Sequence, residues 1–326
     1  MRNFSRFIAG LCLFALTSIA QATSFSQLVV FGDSLTDSGN VSVLTGGAIP
    51  GSPYFNGRFS NGPNFADVLA SNLGLPLTPS LLGGTNYAYG GARTDSQPFG
   101  PQFSTESQVG AYVGAGLVDS SALYLVYVGS NNLSDAIFAV SMDPANAAAI
   151  ATAAIGNAVG DITNSIIALA QAGATNIIVP NAPNLGLTPR FTDLGSAALV
   201  AFATELTIGF NSALAASVSS ISGPNLIQID VFGALQNLVN NPGDFGLTNV
   251  TSRCYTGDDL NFTSGGTLCA NPNEYLFFDG FHPSATVHRA LAAVVINAIP
   301  EPNSALLFML GLWVLTATVR RRLQRA

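Results

Sequence analysis

The feature that most constrains how this chain can fold is a repeated alternation of short apolar runs with longer segments of helical character. Four runs rich in β-branched and aromatic residues have the length of buried strands: 27–31, 123–128, 176–179 and 225–229. Three segments with helical spacing of apolar residues follow them at intervals: 143–172, 196–218 and 285–298. This alternation is typical of βαβ units, in which helices cover both faces of a parallel sheet. We therefore predict an α/β fold, a three-layer α/β/α sandwich around a central, mainly parallel sheet.

Two stretches interrupt this alternation and are predicted to be long loops. Residues 41–64 are rich in Gly, Pro, Asn and Ser, and residues 241–273 contain two of the three cysteines. Neither stretch separates two segments that could each bury a core, so we interpret both as loops of one domain rather than as linkers. Long loops on α/β scaffolds usually carry binding and catalytic residues.

The N-terminal segment has the composition of a secretory signal peptide. Residues 1–22 begin with a basic stretch, continue as an apolar run and end in the small-x-small sequence AQA. The alternative is an uncleaved membrane helix, for which the apolar run is short. We predict cleavage after residue 22 and export of a mature chain whose single domain covers residues 23–299.

The C-terminal segment has the pattern of a sorting tail. Residues 300–302 read PEP, a mostly apolar stretch follows, and four arginines lie among the last seven residues. A helix over 304–319 would be about 24 Å long, short of the roughly 30 Å of bilayer hydrocarbon. The arginines would stay on the cytoplasmic side of a membrane. Residues 300–326 resemble the PEP-CTERM signals of Gram-negative bacteria, which implies a membrane sorting protease as partner and a final location at the cell surface or outside the cell. A plain membrane anchor is the alternative.

The charge of the chain excludes one class of partner. The 326 residues include 11 basic and 18 acidic side chains, and no lysine. Six arginines lie in the two terminal segments, so the predicted mature domain keeps five against 17 acidic residues, a net charge of about −12. Nucleic-acid binding depends on clustered cations, so no nucleic-acid partner is expected. The sequence also has no phosphate-binding glycine loop and no metal-ligand cluster, and we expect neither a cofactor nor a metal.

The cysteines indicate an oxidising environment. One of the three leaves with the predicted signal peptide, so the mature chain keeps Cys254 and Cys269. A single pair in an exported protein favours a disulfide. Metal binding is the alternative, but neither cysteine has a His or Cys neighbour at ligand spacing.

Three residues in two segments could form a nucleophilic serine site. Ser34 follows the first predicted strand directly, and open α/β sheets bind ligands at the carboxyl ends of their strands. His282 has Asp279 three residues before it, so one tight loop can present both side chains to one cleft. A serine nucleophile needs a base and a carboxylate that orients this base. His288, the other histidine, has no such neighbour and is interpreted as a satisfied surface or packing residue.

Four segments, in this order, resemble the sequence blocks of the GDSL, or SGNH, hydrolase family. They are 31–40 (FGDSLTDSGN), 86–92 (NYAYGGA), 129–132 (GSNN) and 279–282 (DGFH). Residues 54–63 (YFNGRFSNGP) further resemble the lipase, phospholipase and haemolysin-like branch. The resemblance implies the flavodoxin-like version of the three-layer fold.

The resemblance also implies a reaction. Ser34 would be the nucleophile, His282 the general base and then the general acid, and Asp279 the orienting carboxylate. The expected activity is hydrolysis of carboxylic esters, lipid or phospholipid acyl esters by the branch resemblance, through an acyl-serine intermediate. A polysaccharide O-deacetylase of the cell surface or matrix is one alternative. A non-catalytic surface or matrix protein with the same fold is another.

The oxyanion hole that the resemblance implies has three donors. They are the backbone N–H of Ser34, the backbone N–H of Gly91 and the side-chain amide of Asn131. Gly90 is adjacent to Gly91 and is the alternative glycine. The family usually has aspartate after the third-block asparagine, whereas this chain has Asn132.

Overall fold

A four-stranded parallel sheet lies at the centre of the structure. Its strands are hydrogen-bonded in chain order: β1 (Leu28–Gly32), β2 (Leu123–Tyr127), β3 (Asn176–Pro180) and β4 (Asn225–Ile229). β1 and β2 are buried along their whole length, as continuous apolar strands covered on both faces must be. The predicted parallel sheet is confirmed, and the boundaries of each strand lie within one residue of the prediction.

The computed structural model of the chain describes residues 25–96, 100–262 and 265–299, together with Gly311. Ser26–Ala298 forms one compact unit. The other unit consists of the two chain ends, which lie almost entirely outside the described residues. The predicted signal peptide (1–22) and sorting tail (300–326) therefore remain predictions from the sequence.

Backbone hydrogen bonds extend the sheet past β1 on the side away from β2. Val30 N–H donates to Thr85 O, and Tyr87 N–H donates to Val30 O. The bridge between Val30 and Asn86 is parallel. This segment therefore takes the place of an edge strand, and the second strand in chain order lies outside the first. That order is the one of flavodoxin-like sheets.

Helices cover both faces of the sheet. They are α1 (Asn40–Leu44), α2 (Phe65–Leu73), α3 (Thr105–Gly114), α4 (Ser130–Met142), α5 (Ala147–Gln171), α6 (Pro189–Thr192), α7 (Ala197–Ser220), α8 (Val231–Asn240) and α9 (Ala285–Ala298). Short 3₁₀ turns occupy Ser80–Leu82, Pro101–Phe103, Pro144–Asn146, Leu185–Leu187, Pro242–Phe245 and Pro272–Glu274. α3, α4, α5 and α7 pack together on the face that includes Tyr124 and Val126, and α2, α8 and α9 pack together on the other. The three-layer α/β/α prediction is thereby confirmed.

Two helical segments, Pro144–Gln171 and Ala197–Ser220, are long and apolar enough to cross a membrane by length and composition alone. Helices that pack on a protein core satisfy the same criterion. α5 and α7 contact each other, and Ile162 and Ile166 of α5 belong to the core. One side of each helix therefore packs in the core, and 33% of the apolar stretch of each one is buried.

The prediction of two irregular loops is wrong in part. α1 extends into 41–64, and β5 (Asn249–Arg253) lies within 241–273 and pairs in parallel with β6 (Tyr275–Phe277). Helices α2, α3, α4 and α8 are also absent from the sequence predictions. These helices are short, and short helices depend on tertiary packing more than on their own sequence.

Cys254 and Cys269 form a disulfide, with a sequence separation of 15 residues. It closes the loop that follows β5. A cross-link of this span stabilises a fold mainly by restricting the unfolded chain.

We expect the double variant Cys254→Ser/Cys269→Ser to lose about 3 kcal/mol of unfolding free energy, since its unfolded chain regains the entropy of this loop. Urea denaturation of the variant beside the oxidised wild type measures the difference. Equal midpoints and slopes would show that the disulfide contributes no stability.

Candidate active site

Separate segments of the chain meet at the carboxyl end of the sheet. Ser34 follows β1, Asn131 lies in the first turn of α4 after β2, and the loop after β6 carries Asp279 and His282. Ser34, Gly91, Asn131 and His282 line one cavity of about 410 Å³. The parallel sheet explains why the first two segments meet, because the carboxyl ends of β1 and β2 lie at one edge, whereas the loop after β6 comes from the separate two-stranded sheet. All the catalytic and oxyanion residues predicted from the sequence are therefore neighbours.

A continuous hydrogen-bonded chain joins Ser34, His282 and Asp279. Ser34 Oγ lies 2.8 Å from His282 Nε2, and His282 Nδ1 lies 2.7 Å from Asp279 Oδ2. The three residues are 5%, 3% and 0% exposed, respectively. At these distances the imidazole can take a proton from the hydroxyl while the carboxylate holds its other nitrogen.

The Asp279 carboxylate has further donors. Its Oδ1 accepts the N–H groups of Phe281 at 2.7 Å and His282 at 2.6 Å, and its Oδ2 accepts the Tyr54 hydroxyl at 2.8 Å. Burial alone would raise the pKa of Asp279, but the charge of His282 and these backbone donors lower it below its usual value. Burial and the nearby Asp279 raise the pKa of Tyr54, which keeps this phenol a donor. Sequence reasoning missed this contact, because the two residues are 225 positions apart.

Asp37 connects the serine segment with the glycine pair. Its Oδ1 accepts the N–H groups of Gly39 at 2.7 Å and Asn40 at 2.6 Å, and its Oδ2 accepts those of Val41 at 3.2 Å and Gly90 at 2.9 Å. Burial raises the pKa of Asp37 to about 6, although all four N–H groups favour the ionised form. Sequence reasoning places Asp37 in a motif but assigns it no role.

The two glycines differ in what their backbones do. Gly90 N–H is bound to Asp37, whereas Gly91 N–H is not taken by this carboxylate. Gly91 has a φ of 78°, in the left-handed region that glycine adopts without strain. A Cβ on Gly90 would overlap the ring of Phe59. Between the two, Gly91 is the glycine whose N–H can serve a ligand in the cavity.

Aromatic rings form one wall of the cavity. The Phe59 ring centroid lies 5.5 Å from that of His282, and the Phe262 centroid lies 5.0 Å from that of Phe59. Ile49 and Leu260 also line this space. Phe262 and Leu260 belong to the loop closed by the disulfide, so the cross-link restrains part of the wall. The resulting surface can bind apolar groups next to Ser34.

Charged residues also line the cavity. The Arg190 guanidinium stacks 4.1 Å from the centroid of the Phe281 ring and donates to Asp259 O at 3.0 Å. Its ion pair with the Asp259 carboxylate has an N–O distance of 3.5 Å. Burial and the neighbouring charge of Asp279 raise the pKa of Asp259. No local sequence pattern indicates these contacts, so sequence reasoning missed them.

His288 lies outside this site. It is 1% exposed, and within the described part of the chain its Nδ1 has no hydrogen-bond partner. Burial lowers its pKa to about 3, which keeps the ring neutral. The expectation of a satisfied surface residue is therefore wrong, whereas its packing role is correct. Among residues 25–96, 100–262 and 265–299, no group of three or more His, Cys, Asp or Glu could hold a metal ion.

A family model described as GDSL-like Lipase/Acylhydrolase matches residues 28–295, from β1 into α9. The chain belongs to this family. The matched range includes every residue predicted from the sequence to be catalytic or to form the oxyanion hole. Membership makes this GDSL-family chain a carboxylic ester hydrolase.

Individual relatives are distant. Lipase 1 of Photorhabdus luminescens is 24% identical over 379 residues that cover 94% of this chain and 55% of that protein, so the chain spans about half of its length. Acetylajmalan esterase 2 of Rauvolfia serpentina is 28% identical over 353 residues, covering 88% of this chain and 94% of that protein. Among solved structures, the lipase Lip_vut3 from a goat rumen metagenome aligns with a TM-score of 0.45 and 14% identity, over 84% of this chain and 97% of that one.

The GDSL segment itself contains a buried acid directly before the serine. Asp33 Oδ1 accepts the N–H of Leu35 at 3.0 Å, while Oδ2 has no partner within the described residues. Burial raises the pKa of Asp33 to about 7, against the opposing effects of the Leu35 N–H and His282. The folded protein therefore binds this proton more tightly than the unfolded chain does.

We expect Asp33 to make the protein less stable as the pH rises. The pKa of Asp33 is near 7 in the folded protein and near 4 in the unfolded chain. Its contribution to the free energy of unfolding is therefore fully present below about pH 4 and is lost as the pH rises to about 7, by up to roughly 4 kcal/mol. Urea denaturation at pH 4.5 and pH 7.5 should show a smaller loss in Asp33→Asn than in wild type. An identical loss in both proteins would contradict this assignment.

Proposed function

We propose that this GDSL-family chain is an exported serine esterase that hydrolyses acyl esters of lipids or phospholipids through an acyl-Ser34 intermediate. The observation that carries the proposal is the Ser34–His282–Asp279 hydrogen-bond chain at the base of a cavity with an apolar wall.

The reaction uses these three residues in order. His282 Nε2 takes the proton of Ser34 Oγ as this oxygen bonds to the ester carbonyl carbon. The tetrahedral intermediate then releases the alcohol, which receives the proton from His282. Water attacks the acyl-serine with His282 again acting as base, and the acid leaves with Ser34 regenerated. Asp279 stays ionised throughout and stabilises the imidazolium.

The oxyanion of the intermediate would accept hydrogen bonds from three donors. They are the N–H groups of Ser34 and Gly91 and the side-chain amide of Asn131. Asn131 Nδ2 already donates one proton to Ala92 O at 3.0 Å, which orients the amide and leaves its second N–H for the substrate. Donors held in place before the reaction stabilise the developing charge without reorganisation.

The aromatic wall supports a lipid acyl chain as the group bound beside Ser34. Phe59 and Phe262 contact each other across this wall, and both rings lie near that of His282. An acyl chain placed there would lose its contact with water, which favours binding by about 0.8 kcal/mol for each buried CH₂.

Deacetylation of a cell-surface or matrix polysaccharide is the second candidate. Arg93, Arg190 and Asp259 line the same cavity and could hydrogen-bond a sugar ring. One relative is named acetylajmalan esterase 2, and the acetyl group in this name is a short acyl group. A non-catalytic surface protein of the same fold is the third possibility, and the experiment below tests it.

Export is supported by the sequence of residues 1–22 and by the disulfide, because disulfides persist in oxidising compartments. The tail 300–326 supports a PEP-CTERM signal, removed by a membrane sorting protease after the chain reaches the membrane. The protein would then act at the cell surface or outside the cell.

The full-length protein should release p-nitrophenol from esters, and Ser34→Ala should lower the rate at least about 10³-fold. A series of esters of increasing chain length, together with acetylated glycans, separates the candidates. We expect longer chains to be preferred, whereas preference for acetate would move the assignment to a deacetylase. No turnover of any substrate, with no labelling of Ser34 by a serine-directed phosphonate, would leave only the non-catalytic protein.

Loss of one oxyanion donor should reduce turnover without abolishing it. We expect Asn131→Ala to lower kcat about 10²- to 10³-fold, because its amide would bind the intermediate more strongly than the substrate. Steady-state kinetics beside Asn72→Ala, an exposed change on α2, measures the effect. A change confined to KM would assign Asn131 to substrate binding instead.

A further inference from the structure

Consecutive contacts bind the loop of Gly91 to the first turns of α4. Asn131 Nδ2 donates to Ala92 O at 3.0 Å. Arg93 holds both carboxylate oxygens of Asp135, from Nε at 2.8 Å and from Nη2 at 2.7 Å. The same guanidinium donates through Nη1 to Gly91 O at 2.6 Å. The two segments that supply Gly91 and Asn131 are therefore joined by several hydrogen bonds.

A further set of hydrogen bonds lies directly behind Asn131. Thr94 N–H donates to Asn132 Oδ1 at 3.1 Å, and Asn132 Nδ2 donates to Thr94 Oγ1 at 3.1 Å. The Thr94 hydroxyl donates in turn to Asp161 Oδ2 of α5 at 2.6 Å. Thr94 is 1% exposed, whereas Asn132 and Asp161 are half-buried. Asn132 itself does not line the cavity.

The direction of these bonds requires an amide at position 132. The Thr94 hydroxyl can donate only one hydrogen bond, and it donates this one to the Asp161 carboxylate, which can only accept. The side chain at 132 must therefore donate to Thr94 Oγ1 and also accept the Thr94 N–H. An amide does both, whereas an ionised carboxylate only accepts. The asparagine that departs from the family pattern is thus matched to a threonine and an aspartate on two other segments.

We propose that Asn132 is a positioning residue for the oxyanion hole and fixes the Gly91 loop against Asn131 through Thr94. The inference rests on the proposed function, since the positioned donors act on a tetrahedral intermediate. Asn132 touches no reacting atom. A small displacement of the donors weakens bonds that form fully only in the transition state, and substrate binding is unaffected. The expected signature is a loss of kcat with little change in KM.

The test begins by removing one donor in the full-length protein. Asn132→Asp takes away the N–H that binds Thr94 and places a second carboxylate next to the hydroxyl that Asp161 already holds. We expect kcat on a p-nitrophenyl ester to fall about 10- to 100-fold, with KM within about twofold of wild type. Affinity for an alkyl boronic acid, which forms a tetrahedral adduct with the serine, should fall by a similar factor.

A second change should restore the chain of bonds in the opposite direction. In Asn132→Asp/Asp161→Asn, the amide at 161 donates a hydrogen bond to Thr94 Oγ1, and the Thr94 hydroxyl donates one to the carboxylate at 132. We expect kcat to return to within about threefold of wild type, a coupling that independent sites do not show. Asn72→Asp, exposed on α2, is the matched control for the added charge and should retain the wild-type kcat.

The outcomes are distinct. The inference would be overturned if Asn132→Asp kept the wild-type kcat, or if kcat did not recover in the double variant. The proposed function would still stand in either case, provided that the wild-type protein is active and loses this activity in Ser34→Ala. Recovery of the unfolding temperature without recovery of kcat would also overturn it, since the bonds would then be only structural. Equal inactivity of wild type and Ser34→Ala would overturn the proposed function and this inference together.

Discussion

The buried hydrogen bond between the Asp279 carboxylate and the His282 imidazole is the interaction on which the rest of the site depends. A carboxylate with no exposed surface is costly unless its lone pairs are satisfied, and Asp279 meets this condition with one imidazole, one phenol and two backbone N–H groups. Leaving a buried polar group without its hydrogen-bond partner typically costs about 1–3 kcal/mol, and more for a charged group. The tight turn from Asp279 to His282 and the placement of Tyr54 are thus requirements of one buried charge, and they leave His282 Nε2 facing Ser34.

The same physical constraint organises the serine segment and the glycine loop. Asp37 is buried within the serine segment and binds four backbone N–H groups, one of them on Gly90. This carboxylate fixes the distance between Ser34 and the glycine loop, much as Asp279 fixes His282. Two acids therefore position two halves of the site. The parallel sheet places the serine half at its carboxyl edge, and the half with Asp279 and His282 follows β6 of the two-stranded sheet. A protein with a net negative charge can bury these two carboxylates because each one accepts hydrogen bonds from nearby donors.

Much of the fold could be predicted from the sequence, because its strands are continuous apolar runs. Such runs indicate burial on both faces wherever they occur, and the last helix, α9, is equally clear from its spacing. Prediction fails at α2, α3, α4 and α8, whose short sequences are stabilised by the surfaces they pack on. It fails too at the parallel pairing of Asn86 with Val30, where the chain shows no apolar run. Edge pairing is decided by the neighbouring strand.

By itself, the sequence determined the sheet, the serine that follows β1, and the loop that carries an acid three residues before a histidine, because each depends only on residues close together in the chain. Only the tertiary structure decided that Tyr54 binds Asp279, that Arg190 lines the cavity, and that Asn132 is matched to Thr94. These partners lie on different loops and helices. Whether two such side chains meet depends on how their segments pack, and the burial that makes each hydrogen bond necessary exists only in the complete fold.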